Sequence, residues 1–198
     1  MIEAVNRPGN LRIRALIKTI LTPILRLQGF RVIGGEHLPG KPAGCMLIAN
    51  HAAFVDSVYL ICAVRPRFTI CGAKAKYFEK PKTRRLFTIA NILKVENRDQ
   101  FLKDCRALLD AGEVILIYPE MGRNPDGMGE FKTWAAEVAL DRNVPVIPCY
   151  LHGTTEGQAG PKRLFVGAPL KPEGDVRGLT ERFREAITAL MPGDGGRS

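Results

Sequence analysis

Apolar and polar positions along the chain follow two rhythms. Placed at about 100° per residue, Ile13, Leu16, Ile17, Ile20, Leu21, Ile24 and Leu27 share one broad face of a helix over residues 11–27. Arg12, Arg14, Lys18 and Arg26 line the other face, and Pro23 is expected to kink or split the helix. Short apolar runs at 30–33, 45–48, 67–71, 92–95, 114–118, 144–151 and 164–166 read as strands. The continuous run Val114-Ile115-Leu116-Ile117-Tyr118 implies cover on both faces, as in a largely parallel sheet. Pro145 and Pro148 assign the 144–151 strand to an irregular or edge position. Helical spacing recurs from Ser57 to Ile61, at 99–111 with Gly112 as C-cap, at 131–140, and through Leu179, Phe183, Ala186, Ile187 and Leu190. Strands alternate with helices and no internal repeat stands out. The expected fold is a single α/β domain with a largely parallel or mixed sheet flanked by helices, preceded by a basic amphipathic N-terminal helical segment. The segment covers residues 1–28, the domain 29–191 and a loose tail 192–198.

A chain of 198 residues is long enough to bury a core without disulfide or metal staples. Its five cysteines are odd in number, scattered, and without metal-ligand spacing, so they are expected as reduced thiols in a cytosolic core, with no structural zinc. A net charge of +9 attracts anions: nucleic acid, an anionic membrane surface or phosphorylated substrates. No aromatic-interleaved basic motif supports nucleic acid. No run of 18 consecutive apolar residues is present, and the N-terminus lacks the features of a secretory signal. The basic helix at 11–27 fits two settings: the surface of an anionic bilayer, or a terminal helix packed on the domain. Its cationic face favours the first, with Arg12, Arg14, Lys18, Ile20, Ile24 and Arg26 in contact with lipid. The expected place is the cytoplasmic face of a membrane, held peripherally.

Reactive side chains gather where strands end. The run 45–48 leads into Ala49-Asn50-His51-Ala52-Ala53-Phe54-Val55-Asp56, and a helix follows. Within one continuous helix, positions five apart diverge by about 140°, so His51 and Asp56 can meet only if the His lies in the turn and the Asp in the helix. Paired that way, the carboxylate fixes the imidazole tautomer and stabilises the imidazolium that forms on proton uptake. A His capping the helix beside a solvent-facing Asp is the competing reading. Ligands in open α/β sheets collect outside the carboxyl ends of strands. The loop after 114–118 brings Glu120 and Arg123 to such an end, and Lys74 and Arg98 also follow short strands. Cations from separate loops beside a His/Asp pair suit a substrate with a phosphate at one end and a hydroxyl at the other.

Those residues carry a resemblance. Asn50-His51, four residues and Asp56 resemble the first block of the glycerolipid acyltransferases of the 1-acylglycerol-3-phosphate type. Residues 92–98 are similar to the second block. Tyr118-Pro119-Glu120-Met121-Gly122-Arg123-Asn124 is similar to the third, and Val144-Pro145-Val146-Ile147-Pro148 to the fourth. The blocks run in order over roughly 30–154, and four in order are far more specific than one. The resemblance implies transfer of a fatty acyl group from acyl-CoA or acyl-acyl carrier protein to the hydroxyl of a lysophospholipid, 1-acylglycerol-3-phosphate first among them. His51 would be the base and Asp56 its orienter. Arg98, Arg123, Lys74 and Gly122 would hold the phosphate, and Glu120 would bind the glycerol or brace an Arg. It implies no metal, no cofactor and no acyl-enzyme, and as partners an anionic membrane, the lysolipid and an acyl carrier protein, but no nucleic acid.

The chain departs from the family pattern at Met121 and Gly122, where Gly and Thr are usual, at Trp134, where Gly is common, and near Asn91 and Lys94. Met121 and Trp134 are candidate pocket-lining residues, with core packing the competing reading for Trp134. These changes bear on the acceptor: lysophosphatidylethanolamine, glycerol-3-phosphate or lyso-ornithine lipid are alternatives. A non-catalytic anionic-lipid-binding module is the alternative from another class.

Overall fold

A computed structural model describes residues 8–41, 44–64, 68–155, 158 and 160–192, with backbone alone at 8–11 and 14. The Arg14 side chain, Arg67 and the tail beyond Pro192 lie outside the described residues. In chain order come α1 (Pro8–Leu27), β1 (Arg31–Ile33), a 3-10 turn (Gly35–His37), β2 (Met46–Ala49), α2 (Asp56–Ala63) and β3 (Phe68–Lys74). A second 3-10 turn (Ala75–Phe78), α3 (Pro81–Ile89), β4 (Ile92–Val95), α4 (Arg98–Asp110) and β5 (Val114–Ile117) follow. The last elements among the described residues are α5 (Trp134–Arg142), β6 (Val146–His152), β7 (Arg163–Val166) and α6 (Val176–Ala189).

The strands form one seven-stranded sheet in the order β1-β7-β6-β2-β5-β3-β4. Five neighbours, β6-β2-β5-β3-β4, run parallel; β7 is antiparallel to β6 and parallel to β1. The sheet is therefore mixed, and its central strands are apolar on both sides because helices cover both. Alternate residues along a strand face opposite ways. Leu47 and Ala49 of β2, with Val114 and Leu116 of β5, join Leu25 of α1, Leu60 of α2 and Phe87 of α3 in one buried layer. Met46, Ile48, Ile115 and Ile117 face the other layer, with Phe101 and Cys105 of α4, Ala135 of α5 and Phe183 of α6. All five cysteines are free and buried.

Of the two positions that Pro145 and Pro148 suggested, irregular or edge, the edge is not the one observed; Pro148 lies within β6 and Pro145 just before it. β6 is an interior strand, paired with β2 through Ile48↔Pro148 and with β7 from Cys149 on. Pro148 O accepts from Gly167 N at 2.9 Å. The nitrogen of a strand residue points the same way as its carbonyl, so the missing N–H faces the side where β7 has just ended, and the ladder to β2 is intact. Gly167 permits that approach, since a Cβ there would stand 2.9 Å from Pro148 Cγ.

Helix α1 is continuous through Pro23, with no split. Lys18, Leu21, Thr22 and Leu25 lie against the domain, and Lys18 Nζ donates to Val64 O at the end of α2. The apolar residues Ile13, Leu16, Ile17, Ile20, Ile24 and Leu27 point outward instead, with Leu27 88% exposed. Arg12 and Arg26 are exposed as well. Lys18 is thus a docking residue in this arrangement, and α1 both packs on the domain and presents an apolar stripe. Among the described residues, no helix is long and apolar enough to cross a membrane.

Candidate active site

β2 ends at Ala49, and α2 begins at Asp56. His51 thus sits in the turn and Asp56 at the first helical position, which is the arrangement that lets two residues five apart meet. His51 Nδ1 and Asp56 Oδ2 are 2.9 Å apart. The same oxygen accepts from the N–H groups of Ala52 at 2.8 Å and Ala53 at 2.9 Å. Asp56 is fully buried, whereas the His51 side chain is 17% exposed. A carboxylate facing Nδ1 selects the tautomer protonated there and leaves the Nε2 lone pair for a proton.

Three further contacts hold this turn. Asn50 clamps it to β6: its amide donates to Leu151 O at 3.1 Å and accepts from Leu151 N at 2.7 Å. The Tyr118 ring stacks on the His51 ring with centroids 4.0 Å apart, and its hydroxyl meets Ser57 Oγ at 3.0 Å. Burial pushes the Tyr118 phenol up from its ordinary value, so it stays neutral. Glu120 is the third. Its Oε1 accepts from His51 N at 2.8 Å, and its Oε2 accepts from Gly129 N at 2.8 Å and from the Asn124 amide. Asn124 N closes the loop on His51 O at 2.7 Å. Burial raises the Glu120 carboxyl above its ordinary value, an effect that the N–H donors of Gly129 and His51 oppose. Glu120 therefore braces the His51 turn rather than an Arg, and both its oxygens are already engaged.

A cleft of about 590 Å³ opens over His51. It lies at the carboxyl ends of four adjacent strands: Thr154 follows β6, His51 β2, Met121 and Arg123 β5, and Lys74 ends β3. Gly122 lines it between Met121 and Arg123. Arg123 reaches Tyr77 Oη at 3.3 Å, on the same wall as Lys74. A narrower slot of about 80 Å³ runs from the same histidine between Phe54, Ile70, Ala73, Phe87 and Ile92. The cleft thus combines an imidazole held by a buried carboxylate, two cations and an apolar branch.

Two sequence candidates lie elsewhere. Arg98 opens α4, where its guanidinium pairs with Glu137 of α5 and, at 3.4 Å, with Asp99. It is not among the residues lining the cleft. Trp134, partly buried at the start of α5, packs on Phe101 with centroids 5.3 Å apart against the core layer, and it is not among the residues lining the cleft. Met121 does line the cleft, and its φ of 52° explains why a glycine suits that step. Asn91 has a φ of 58° for the same kind of turn, and its buried amide donates to Phe68 O at 2.9 Å and Thr69 Oγ1 at 2.7 Å. Asn50, Tyr118 and Tyr77 were not read as site residues from the sequence. Asn50 and Tyr118 did carry a signal, the first as part of the Asn50-His51 block and the second as a polar tip on the last residue of a buried run.

The model of the Acyltransferase family matches residues 29–152. A 1-acyl-sn-glycerol-3-phosphate acyltransferase of Chlamydomonas reinhardtii is 29% identical over 175 residues, 81% of this chain and 52% of the relative. A chloroplastic 1-acyl-sn-glycerol-3-phosphate acyltransferase of Brassica napus is 28% identical over 127 residues, 61% of this chain and 36% of the relative. The chain thus spans about half or less of the length of these curated relatives. The crystal structure of the 1-acyl-sn-glycerophosphate (LPA) acyltransferase PlsC from Thermotoga maritima superposes with a TM-score of 0.75 at 18% identity, covering 98% of this chain and 87% of that one. That likeness is one of fold.

Proposed function

The chain belongs to the Acyltransferase family, and from that premise we propose that it moves a fatty acyl group from an acyl thioester to the free hydroxyl of a lysophospholipid. The favoured acceptor is 1-acylglycerol-3-phosphate, giving phosphatidic acid, with coenzyme A or acyl carrier protein bearing the acyl group. The observation that carries this reading is the 2.9 Å contact between His51 Nδ1 and a fully buried Asp56 beneath a cleft that also holds Arg123 and Lys74.

The acceptor hydroxyl attacks the thioester carbonyl carbon while His51 Nε2 takes its proton. The tetrahedral species collapses, the C–S bond breaks, and the imidazolium returns the proton to the departing thiolate. Asp56 holds the ring and stabilises its charged form. Arg123 and Lys74 hold the acceptor phosphate, and the slot past Phe54 and Phe87 takes apolar chain. Arg98, already paired with Glu137, is a weaker phosphate ligand than the sequence implied. Glu120 keeps the His51 turn and the Arg123 loop in register. The outward apolar stripe of α1 seats the enzyme peripherally on the cytoplasmic face of a membrane, where its substrates reside.

The test is turnover of a lysolipid panel with acyl-CoA and with acyl-acyl carrier protein, by wild type and His51→Ala. Phosphatidic acid from lysophosphatidic acid is expected, with a loss of roughly 10²- to 10⁴-fold in the variant. Equal turnover by both proteins would remove the His-dependent reaction. Preference for lysophosphatidylethanolamine, glycerol-3-phosphate or lyso-ornithine lipid would move the acceptor and leave the chemistry standing.

A further inference from the structure

The stripe on α1 is long and apolar but short of cations. Residues 13 to 27 extend roughly 20 Å at the rise of an α-helix. Of the cations expected beside the stripe, Lys18 is drawn inward to Val64 O, which leaves Arg12 and Arg26 as the exposed cations among the described side chains of α1. The neighbouring helix carries what α1 lacks. From Lys74 to Ile89 the chain has six cations (Lys74, Lys76, Lys80, Lys82, Arg84, Arg85) against one acid, Glu79. On α3, Phe87 is buried in the core, while Lys82, Arg84, Arg85 and Leu86 are exposed, Leu86 by 51%.

The two helices meet where these features adjoin. Ile13, at the start of the stripe and 41% exposed, lines a depression of about 460 Å³ together with Arg84, Arg85 and Thr88 of α3. Neither guanidinium pairs with a carboxylate among the described residues. An anionic bilayer matches this surface: acyl chains meet the apolar stripe, and headgroup phosphates meet cations at its margin. A soluble acidic protein would engage the cations but leave a 20 Å (roughly, by helical rise) apolar stripe facing water.

We propose that α3 supplies the cationic half of a membrane-seating face whose apolar half is α1, with Arg84 and Arg85 taking the headgroup phosphates of an anionic bilayer. This rests on the reading of α1 as the membrane-contacting helix and names the residues that complete it. It is independent of catalysis, because neither arginine lines the cleft over His51.

Co-sedimentation of the full chain with vesicles of phosphatidylglycerol and phosphatidylcholine, and with phosphatidylcholine alone, tests the proposal. The double variant Arg84→Glu/Arg85→Glu should bind the anionic vesicles at least tenfold more weakly. It should bind neutral vesicles as wild type does, and retain the wild-type rate toward a water-soluble short-chain acceptor. If charge reversal disturbs the far-UV spectrum, Arg84→Gln/Arg85→Gln should show a smaller loss in the same direction. Unchanged anionic-vesicle binding in a folded double variant would overturn the role of α3 and leave α1 acting alone. Failure of wild type to bind any vesicle would overturn both halves. Vesicle binding that follows the expected pattern without acyl transfer would support this proposal and count only against the catalytic one.

Discussion

Asp56 Oδ2 meets three donors at once, the His51 ring and the backbone N–H groups of Ala52 and Ala53. An asparagine there can accept from the backbone or face the ring with an NH₂, which favours the opposite tautomer and removes the lone pair from Nε2. Asp56→Asn should therefore lower kcat by roughly 10²- to 10⁴-fold. It should also lower stability by about 1–3 kcal/mol, because charge-assisted bonds to a buried carboxylate are lost. Rate measurements and denaturant titration separate the two effects. Glu120 gives a pH-dependent outcome. Its carboxyl lies above the ordinary value because of burial, so its contribution favours the folded state in acid and is lost as pH rises through that value. The stability advantage of wild type over Glu120→Gln should be largest near pH 4 and shrink toward pH 8, as denaturation at several pH values will read. The His/Asp pair was legible in the sequence because its geometry depends on one local boundary, turn against helix. The brace by Glu120 was not, since its donors come from His51, Asn124 and Gly129. The pairing of Arg98 with Glu137 was hidden because the residues are far apart in the chain and meet only through α4–α5 packing.

Helix α1 separates its docking face from its exposed face cleanly enough to be tested by paired substitutions. Leu25 is buried against Phe30 and the α2 layer, whereas Leu27 stands in solvent. Leu25→Ala should cost about 2–3 kcal/mol in unfolding free energy. Leu27→Ser should change stability by less than about 0.5 kcal/mol while weakening partition onto vesicles. Equal destabilisation by the two would show that the stripe is packed rather than presented. Periodicity revealed this helix and its apolar face, but not which face the domain would use. Lys18, polar on the wheel, turns inward because the Val64 carbonyl at the end of α2 offers a partner, and Thr22 lies half-buried on the same side. The proline-bearing strand β6 was found, but the edge position that its prolines allowed is not the one it takes. Pro148 tolerates an interior position only because β7 ends beside it, and that depends on a pairing formed across the sheet.

The alternation of strands and helices disclosed the α/β class, while the strand order, with β2 beside both β5 and β6, is fixed by contacts remote in sequence. That order is what sets His51 between the loops carrying Arg123 and Thr154. The same enclosure governs the cysteines. Burial pushes the Cys149 thiol up to about 12 and the Cys45 thiol to about 11, so the native protein should resist a thiol-specific disulfide reagent at pH 8 and react at all five positions once unfolded. The account as a whole depends on direct transfer, with the acceptor hydroxyl as nucleophile and His51 as base. Rapid mixing with an acyl thioester, in the presence and absence of lysophosphatidic acid, tests this most directly. The predicted result is free thiol and phosphatidic acid rising together, with no thiol released without acceptor and none above background in His51→Ala. A stoichiometric release of thiol without acceptor, leaving an acylated protein, would contradict it.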